Sequence, residues 1–205
     1  MNTMIIKVCG MRDAENIRAV EQAGPDWMGF ICWAKSSRHV SEKPAYLPQC
    51  TRVGVFVDAD IEYVLQMVQT LGLNRIQLHG HESVEYCKEI IQSTQLPITK
   101  TISVLTAEDI RKAKLYEGIA DYILFDTKCK CVGGSGEQFD WDILQAYDGK
   151  TPFILAGGIG PGDEVRVKAF RHPRFAGIDL NSRFEISPAL KDSTLLNKFI
   201  SKIRQ

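Results

Sequence analysis

The sequence predicts a single α/β domain, an eight-stranded parallel (β/α)8 barrel spanning residues 1–205. Eight short apolar runs alternate with amphipathic stretches, and no linker, low-complexity tract or long charge block cuts the chain. Strands that alternate with helices pair in parallel through right-handed crossovers, and eight such units close without an exposed edge. A flavodoxin-like or Rossmann sheet accommodates five or six units and leaves the rest without a place. A chain of 205 residues with 44% hydrophobic content suits one sizeable core.

Taken in order, MIIKV (4–8) leads into DAENIRAVEQAG, which opens on an Asp able to cap free amides and runs into a Gly. DWMGFI (26–31) is followed by the exceptional link, short, polar and interrupted by Pro44 and Pro48. RVGVFV (52–57) precedes DIEYVLQMVQTLG, RIQL (75–78) precedes SVEYCKEIIQST, and ITKTIS (98–103) precedes TAEDIRKAKLYEG. DYILF (121–125) reaches FDWDILQAY across a long loop containing GGSGEQFDW (133–141), read either as a lid or as a solvent loop. PFILA (152–156) precedes GDEVRVKAF, and FAGIDL (175–180) precedes the terminal TLLNKFISKIR.

Lys plus Arg and Asp plus Glu each total 25, so no net field favours nucleic acid or an anionic membrane. An anionic ligand must then be held locally. The first twenty residues lack a signal-peptide pattern, and no apolar run approaches the ~18 residues of a bilayer span, so a soluble cytoplasmic protein is expected. The scattered cysteines read as free thiols. Cys129 and Cys131 lack the second ligand pair of a zinc site, and no metal is expected.

In such a barrel, chemistry belongs to the loops after the C-terminal strand ends. In ILAGGIGPGDEV a strand runs into Gly157 and Gly158, and a helix is expected to open near Pro161, giving close backbone approach and a favourable dipole for an anion. Ser182 and Arg183 in DLNSRFE are placed to donate to the same anion, matching the phosphate position after strands seven and eight. The competing reading is a tight turn.

Alternation along the first strand puts Lys7 and Cys9 on one face and Ile6 with Val8 on the other. With the aliphatic pair against the helices, Lys7 points into the barrel, where a buried ammonium needs a carboxylate. Asp179 on the neighbouring eighth strand is the expected partner, within ~4 Å. The lysine charge would favour a thiolate at Cys9, which reads either as a base or as a small buried hydrophobe. Asp126, at the end of YILFD, reads as a proton donor raised by apolar surroundings, or as a cap or ion-pair partner of Lys128. Arg38 in KSSRHV offers a fork for a substrate carboxylate, with Trp33 close enough to flank an aromatic ligand. His79 in QLHGHE reads as a rim residue or a ligand contact; His39, His81 and His172 are assigned to solvent or structure.

The ordered series KVCG, FICWAKSSRHV, VGVFV, IQLHGHE, ILFDT, GGSGEQFDW, LAGGI and GIDLNSRFE…KD resembles the phosphoribosylanthranilate isomerase family over residues 6–192. The resemblance implies the Amadori rearrangement of N-(5-phosphoribosyl)anthranilate in tryptophan biosynthesis. It also implies Cys9 as general base, Asp126 as general acid, and a phosphate site around Gly157, Gly158 and the Ser182 turn. Arg38 would contact the substrate carboxylate; an acid and a base suffice for this chemistry, so no cofactor is expected, the partner is a small phosphorylated substrate, and the sequence leaves monomer or homodimer open. Family members usually read DVSSGVE and PGxKD where this chain has DLNSRFE and PALKD, so Arg183 and Ala189 replace glycines. Arg183 would either add charge to the phosphate site or force a different backbone there. Another sugar-phosphate barrel enzyme and a non-catalytic phosphometabolite-binding barrel are the alternatives.

Overall fold

The computed structural model describes residues 4–127 and 140–205. Strands β1 (Ile5–Cys9), β2 (Trp27–Ile31), β3 (Thr51–Phe56), β4 (Arg75–Leu78), β5 (Ile98–Val104), β6 (Tyr122–Thr127), β7 (Phe153–Ala156) and β8 (Phe175–Leu180) form a closed barrel in sequential order, every neighbouring pair parallel. All eight strands fall where the apolar runs lie. Lys128, Cys129, Cys131 and the GGSGEQF portion of the loop read as a lid or a solvent loop lie outside the described residues.

Helices α1 (Ala14–Glu21), α2 (Ile61–Leu71), α3 (Val84–Thr94), α4 (Ala107–Arg111), α5 (Glu164–Ala169) and α6 (Ser193–Arg204) cover the outside. Their starts follow from side chains that satisfy the first free amides: Asp13 accepts from Asn16 N, Ser83 from Tyr86 N and Asp192 from Leu195 N. Two expected helices are tighter. TAEDIRKAKLYEG gives only the five residues of α4 before passing into a 3-10 turn at Lys112–Tyr116, and the next is 3-10 over Trp141–Ala146. The helix expected near Pro161 begins at Glu164, and the Asp163 carboxylate takes the Gly160 amide at 2.8 Å. The Gly160 amide is thus bonded within the loop that leads into α5.

Ile6 and Val8 join the large core between barrel and helices, while Trp27, Val53, Leu124, Ile154 and Ala156 form a second cluster on the opposite strand faces. Arg75 lies between Trp27 and Tyr122, its guanidinium carbon 4.8 and 5.1 Å from their ring centres. Trp27, Arg75 and Tyr122 open their strands, at the end of the barrel away from the polar rim.

After β8 the chain makes a 3-10 turn (Ser182–Phe184) and a small antiparallel hairpin of β9 (Glu185–Ser187) and β10 (Leu190–Lys191), which the strand pattern did not anticipate. Arg183 stays out of the left-handed region, so it needs no glycine conformation. Ala189 is the opposite case, with φ +67°. Returning it to the glycine usual in the resembled family is expected to raise stability by about 1 kcal/mol, since an L side chain is strained there. Thermal unfolding of Ala189→Gly beside wild type measures the gain.

Candidate active site

The C-terminal rim encloses a cavity of about 200 Å³ whose lining includes Cys9, His79, Asp126, Gly158, Asp179 and Arg183. Gln77, Gly157, Asn181 and Ser182 also reach it. A larger groove of about 790 Å³ sits at the other end, around Met4, Tyr122, Pro152, His172 and Phe175. The rim cavity is the better candidate despite its size, because it brings carboxylates, an imidazole and a thiol together, whereas the larger groove holds only basic ionisable groups among its charged lining, and barrel chemistry sits at the C-terminal face.

On β1, Lys7 is fully buried and faces Asp179 in register across the β1–β8 seam. Its Nζ lies 3.1 Å from each carboxylate oxygen, so the expected ion pair forms. Burial works against the ammonium, yet Asp179 and Cys9 overcome it and hold the Lys7 pKa above its ordinary value. Cys9 is also buried, and the expectation of a thiolate is corrected: burial pushes the thiol up and Lys7 only partly offsets this. Asp179 cancels much of the lysine charge that the thiolate would have used.

Gly29 on β2, in register with Cys9, makes room for both groups. A Cβ there would fall 2.7 Å from Cys9 Sγ and 3.0 Å from Lys7 Nζ. Gly29→Ala is therefore expected to destabilise the protein by roughly 1–3 kcal/mol and to displace the thiol. A lowered melting temperature together with altered reactivity of Cys9 toward a small alkylating agent checks both parts.

On the opposite side, His79 Nε2 lies 3.5 Å from Asp126 Oδ2, and both side chains are partly exposed. Gln77, two residues earlier on β4, is buried and donates from Nε2 to Thr101 Oγ1 at 3.2 Å, with His79 Nδ1 at 3.0 Å. The turn carrying His79 is pinned beneath by buried Lys100, whose Nζ donates to Glu82 at 2.9 Å and to the Gly80 carbonyl at 2.8 Å. Glu82 in turn accepts from the amides of Asp58 and Gly80. The rim residue Asp58 thus belongs to loop structure.

Arg38 does not stand open. Its Nε and Nη2 donate to Glu185 at 2.8 and 2.6 Å. Buried Lys191 donates to the same carboxylate at 2.6 Å and to Asn181 Oδ1 at 2.7 Å. Burial would raise Glu185, but the bonds from Arg38 and Lys191 win and hold it at about 2. This cluster joins the loops after β1, β2 and β8, because a Cβ on Gly10 would meet Arg38 Cδ at 2.8 Å and Lys191 Nζ at 3.3 Å. Trp33 is exposed on the same β2 loop.

Gly157 and Gly158 have φ +98° and +70°, a left-handed turn directly after β7. Ser182 and Arg183 face it from beyond β8; Arg183 packs over Gly160, where a Cβ would lie 3.0 Å from its own. Among the described residues no group of three or more His, Cys, Asp and Glu could hold a metal ion, and no helix is long and apolar enough to cross a membrane.

Sequence reasoning missed Gly29, Gln77, Asn181, Glu185 and Lys191. Two carried a readable signal: glycine inside the strand WMGFI marks close approach, and alternation in RIQL puts a polar residue inside the barrel.

A closed parallel barrel with acidic, basic and thiol side chains gathered in one C-terminal cavity defines a (β/α)8-barrel enzyme. The family model described as N-(5'phosphoribosyl)anthranilate (PRA) isomerase matches residues 6–202, and the chain belongs to that family of isomerases. The N-(5'-phosphoribosyl)anthranilate isomerase of Phocaeicola vulgatus is 53% identical over 203 residues, 98% of each chain. A crystal structure of phosphoribosyl anthranilate isomerase in complex with reduced 1-(o-carboxyphenylamino)-1-deoxyribulose 5-phosphate superposes with TM-score 0.82 at 28% identity, covering 98% of both chains. Monomers generated from the dimeric Thermotoga maritima isomerase give TM-score 0.80 at 26% identity, again over 98% of each.

Proposed function

We propose that this chain converts N-(5-phosphoribosyl)anthranilate to 1-(2-carboxyphenylamino)-1-deoxyribulose 5-phosphate in tryptophan biosynthesis, with Asp126 as general acid and Cys9 as general base. The observation that carries the residue roles is that both side chains line one small cavity, from β6 and β1. Asp126 gives its proton to the furanose ring oxygen as the bond from that oxygen to C1 of the ribose breaks, and the nitrogen lone pair forms an iminium. The iminium acidifies C2, whose proton passes to Cys9 in the fraction of molecules where the thiol has ionised, and leaves an enolamine. Its hydroxyl proton is lost as C1 gains one, giving the ketose. The pair resets when Asp126 regains a proton and Cys9 releases one, so no net proton is consumed.

Binding is assigned by the same reading. The Gly157–Gly158 turn, Ser182 and Arg183 hold the phosphate, Arg183 adding a charged side chain where glycine is usual in the family. Arg38 uses its Nε and Nη2 on Glu185, which leaves the edge carrying Nη1 for the anthranilate carboxylate. Lys7 and Asp179 support the base side, and His79 the acid side. Holding both ends of the substrate fixes the ribose between acid and base, where positioning lowers the barrier.

Freshly prepared phosphoribosylanthranilate mixed with excess protein should lose its anthranilate fluorescence in a single turnover. Saturable binding of the reduced product analogue without any turnover would support a phosphometabolite-binding barrel and reject the enzyme reading. Light scattering separates the monomer and homodimer alternatives.

A further inference from the structure

We infer that Gln77 is a positioning residue for the acid side of the site: its amide fixes His79 as the Nε2–H tautomer, which donates to the Asp126 carboxylate as that group gives up its proton. The inference rests on the role proposed above for Asp126. Gln77 Nε2 lies 3.0 Å from His79 Nδ1, and an amide nitrogen only donates, so Nδ1 accepts. The ring hydrogen then sits on Nε2, 3.5 Å from Asp126 Oδ2. The orientation of the amide has its own support. Nε2 has two partners, whereas Oε1 is buried without one among the described residues. Turning the amide over would orphan a buried N–H group instead, and buried N–H groups are left unpaired more rarely than carbonyls.

Gln77 is held for this task. It is 1% exposed, bonded to Thr101 on β5, and carried by the strand whose following turn Lys100 and Glu82 pin. Among the described residues, His79 also lies within electrostatic reach of Asp179 on β8, itself bound to Lys7. A neutral imidazole donor beside Asp126 stabilises the carboxylate formed in ring opening without adding a fixed positive charge that would deplete the protonated acid.

Long-range proton–nitrogen correlation spectra of the full chain, with kcat and KM, test this in wild type, Gln77→Leu and Gln77→Glu. Wild type should show pyrrole-like Nε2 and pyridine-like Nδ1 at His79. In Gln77→Glu the new carboxylate accepts at Nδ1, so the pattern should reverse. Both variants should lose kcat by roughly tenfold with KM little changed. If Gln77→Glu does not fold, the neutral Gln77→Leu carries the test alone, its expected result being loss of the single tautomer and the same fall in kcat. A hydrogen on Nδ1 in wild type, or Gln77→Leu within twofold of wild-type kcat, overturns the inference while leaving the isomerase reading intact. Absence of turnover in wild type would instead remove the isomerase reading and, with it, the acid that His79 is inferred to assist.

Discussion

Asp126→Asn is expected to fold normally, to bind the reduced product analogue about as well as wild type, and to lose at least about two orders of magnitude in kcat. Asparagine keeps the shape of the side chain and its place opposite Ser103 and Ala156 in the sheet register. It has no carboxyl proton to give, so ring opening must draw a proton from water. Because His79 stands 3.5 Å away, the same variant separates two explanations for any loss. If the pair were merely structural, thermal stability and analogue binding would fall with turnover. A kcat within a few-fold of wild type would remove Asp126 from the mechanism.

Cys9→Ala should cost a similar factor of about 10²–10⁴ in turnover while leaving substrate affinity nearly unchanged. The thiol carries a second, sharper expectation. Burial raises its pKa, with Lys7 as partial counterweight, so at neutral pH the base is held mostly as the inactive thiol. A base must be deprotonated to act; kcat/KM should therefore climb as pH rises through neutrality, with the climb displaced toward alkaline pH by the raised pKa. Asp179→Asn removes the carboxylate that cancels Lys7, and should move that rising limb to lower pH in whatever fraction folds. A wild-type kcat/KM independent of pH between about 6 and 8 would argue against Cys9 as the base.

Much of this architecture is legible in the amino-acid sequence. Strand positions were legible because barrel strands are buried on both faces and stand out as apolar runs, and RIQL and FAGIDL match β4 and β8 residue for residue. The Lys7–Asp179 pair was legible because alternation faces Lys7 inward and barrel closure makes β1 and β8 neighbours. The state of Cys9 was not, since it depends on a balance between desolvation and two opposed charges that sequence does not weigh. In the sequence Arg38 stands as an open fork, because Glu185, 147 residues away, becomes its partner only after the hairpin folds back. The shortness of α4 and the 3-10 winding at Lys112–Tyr116 and Trp141–Ala146 escaped because helical periodicity does not separate a full α-turn from the tighter 3-10 winding at a barrel's crowded corners.

The Lys7–Asp179 pair also dates the moment at which the protein becomes itself. Its two members lie 172 positions apart, so on a ribosome adding about 5–20 residues per second the lysine is made roughly ten to thirty seconds before its partner. Until β8 arrives, packing the β1 face against the rest would bury an uncompensated ammonium, a penalty on the order of 3–5 kcal/mol. The nascent barrel therefore has reason to stay open, and the charge that supports the thiol is also what discourages a partly made chain from sealing prematurely.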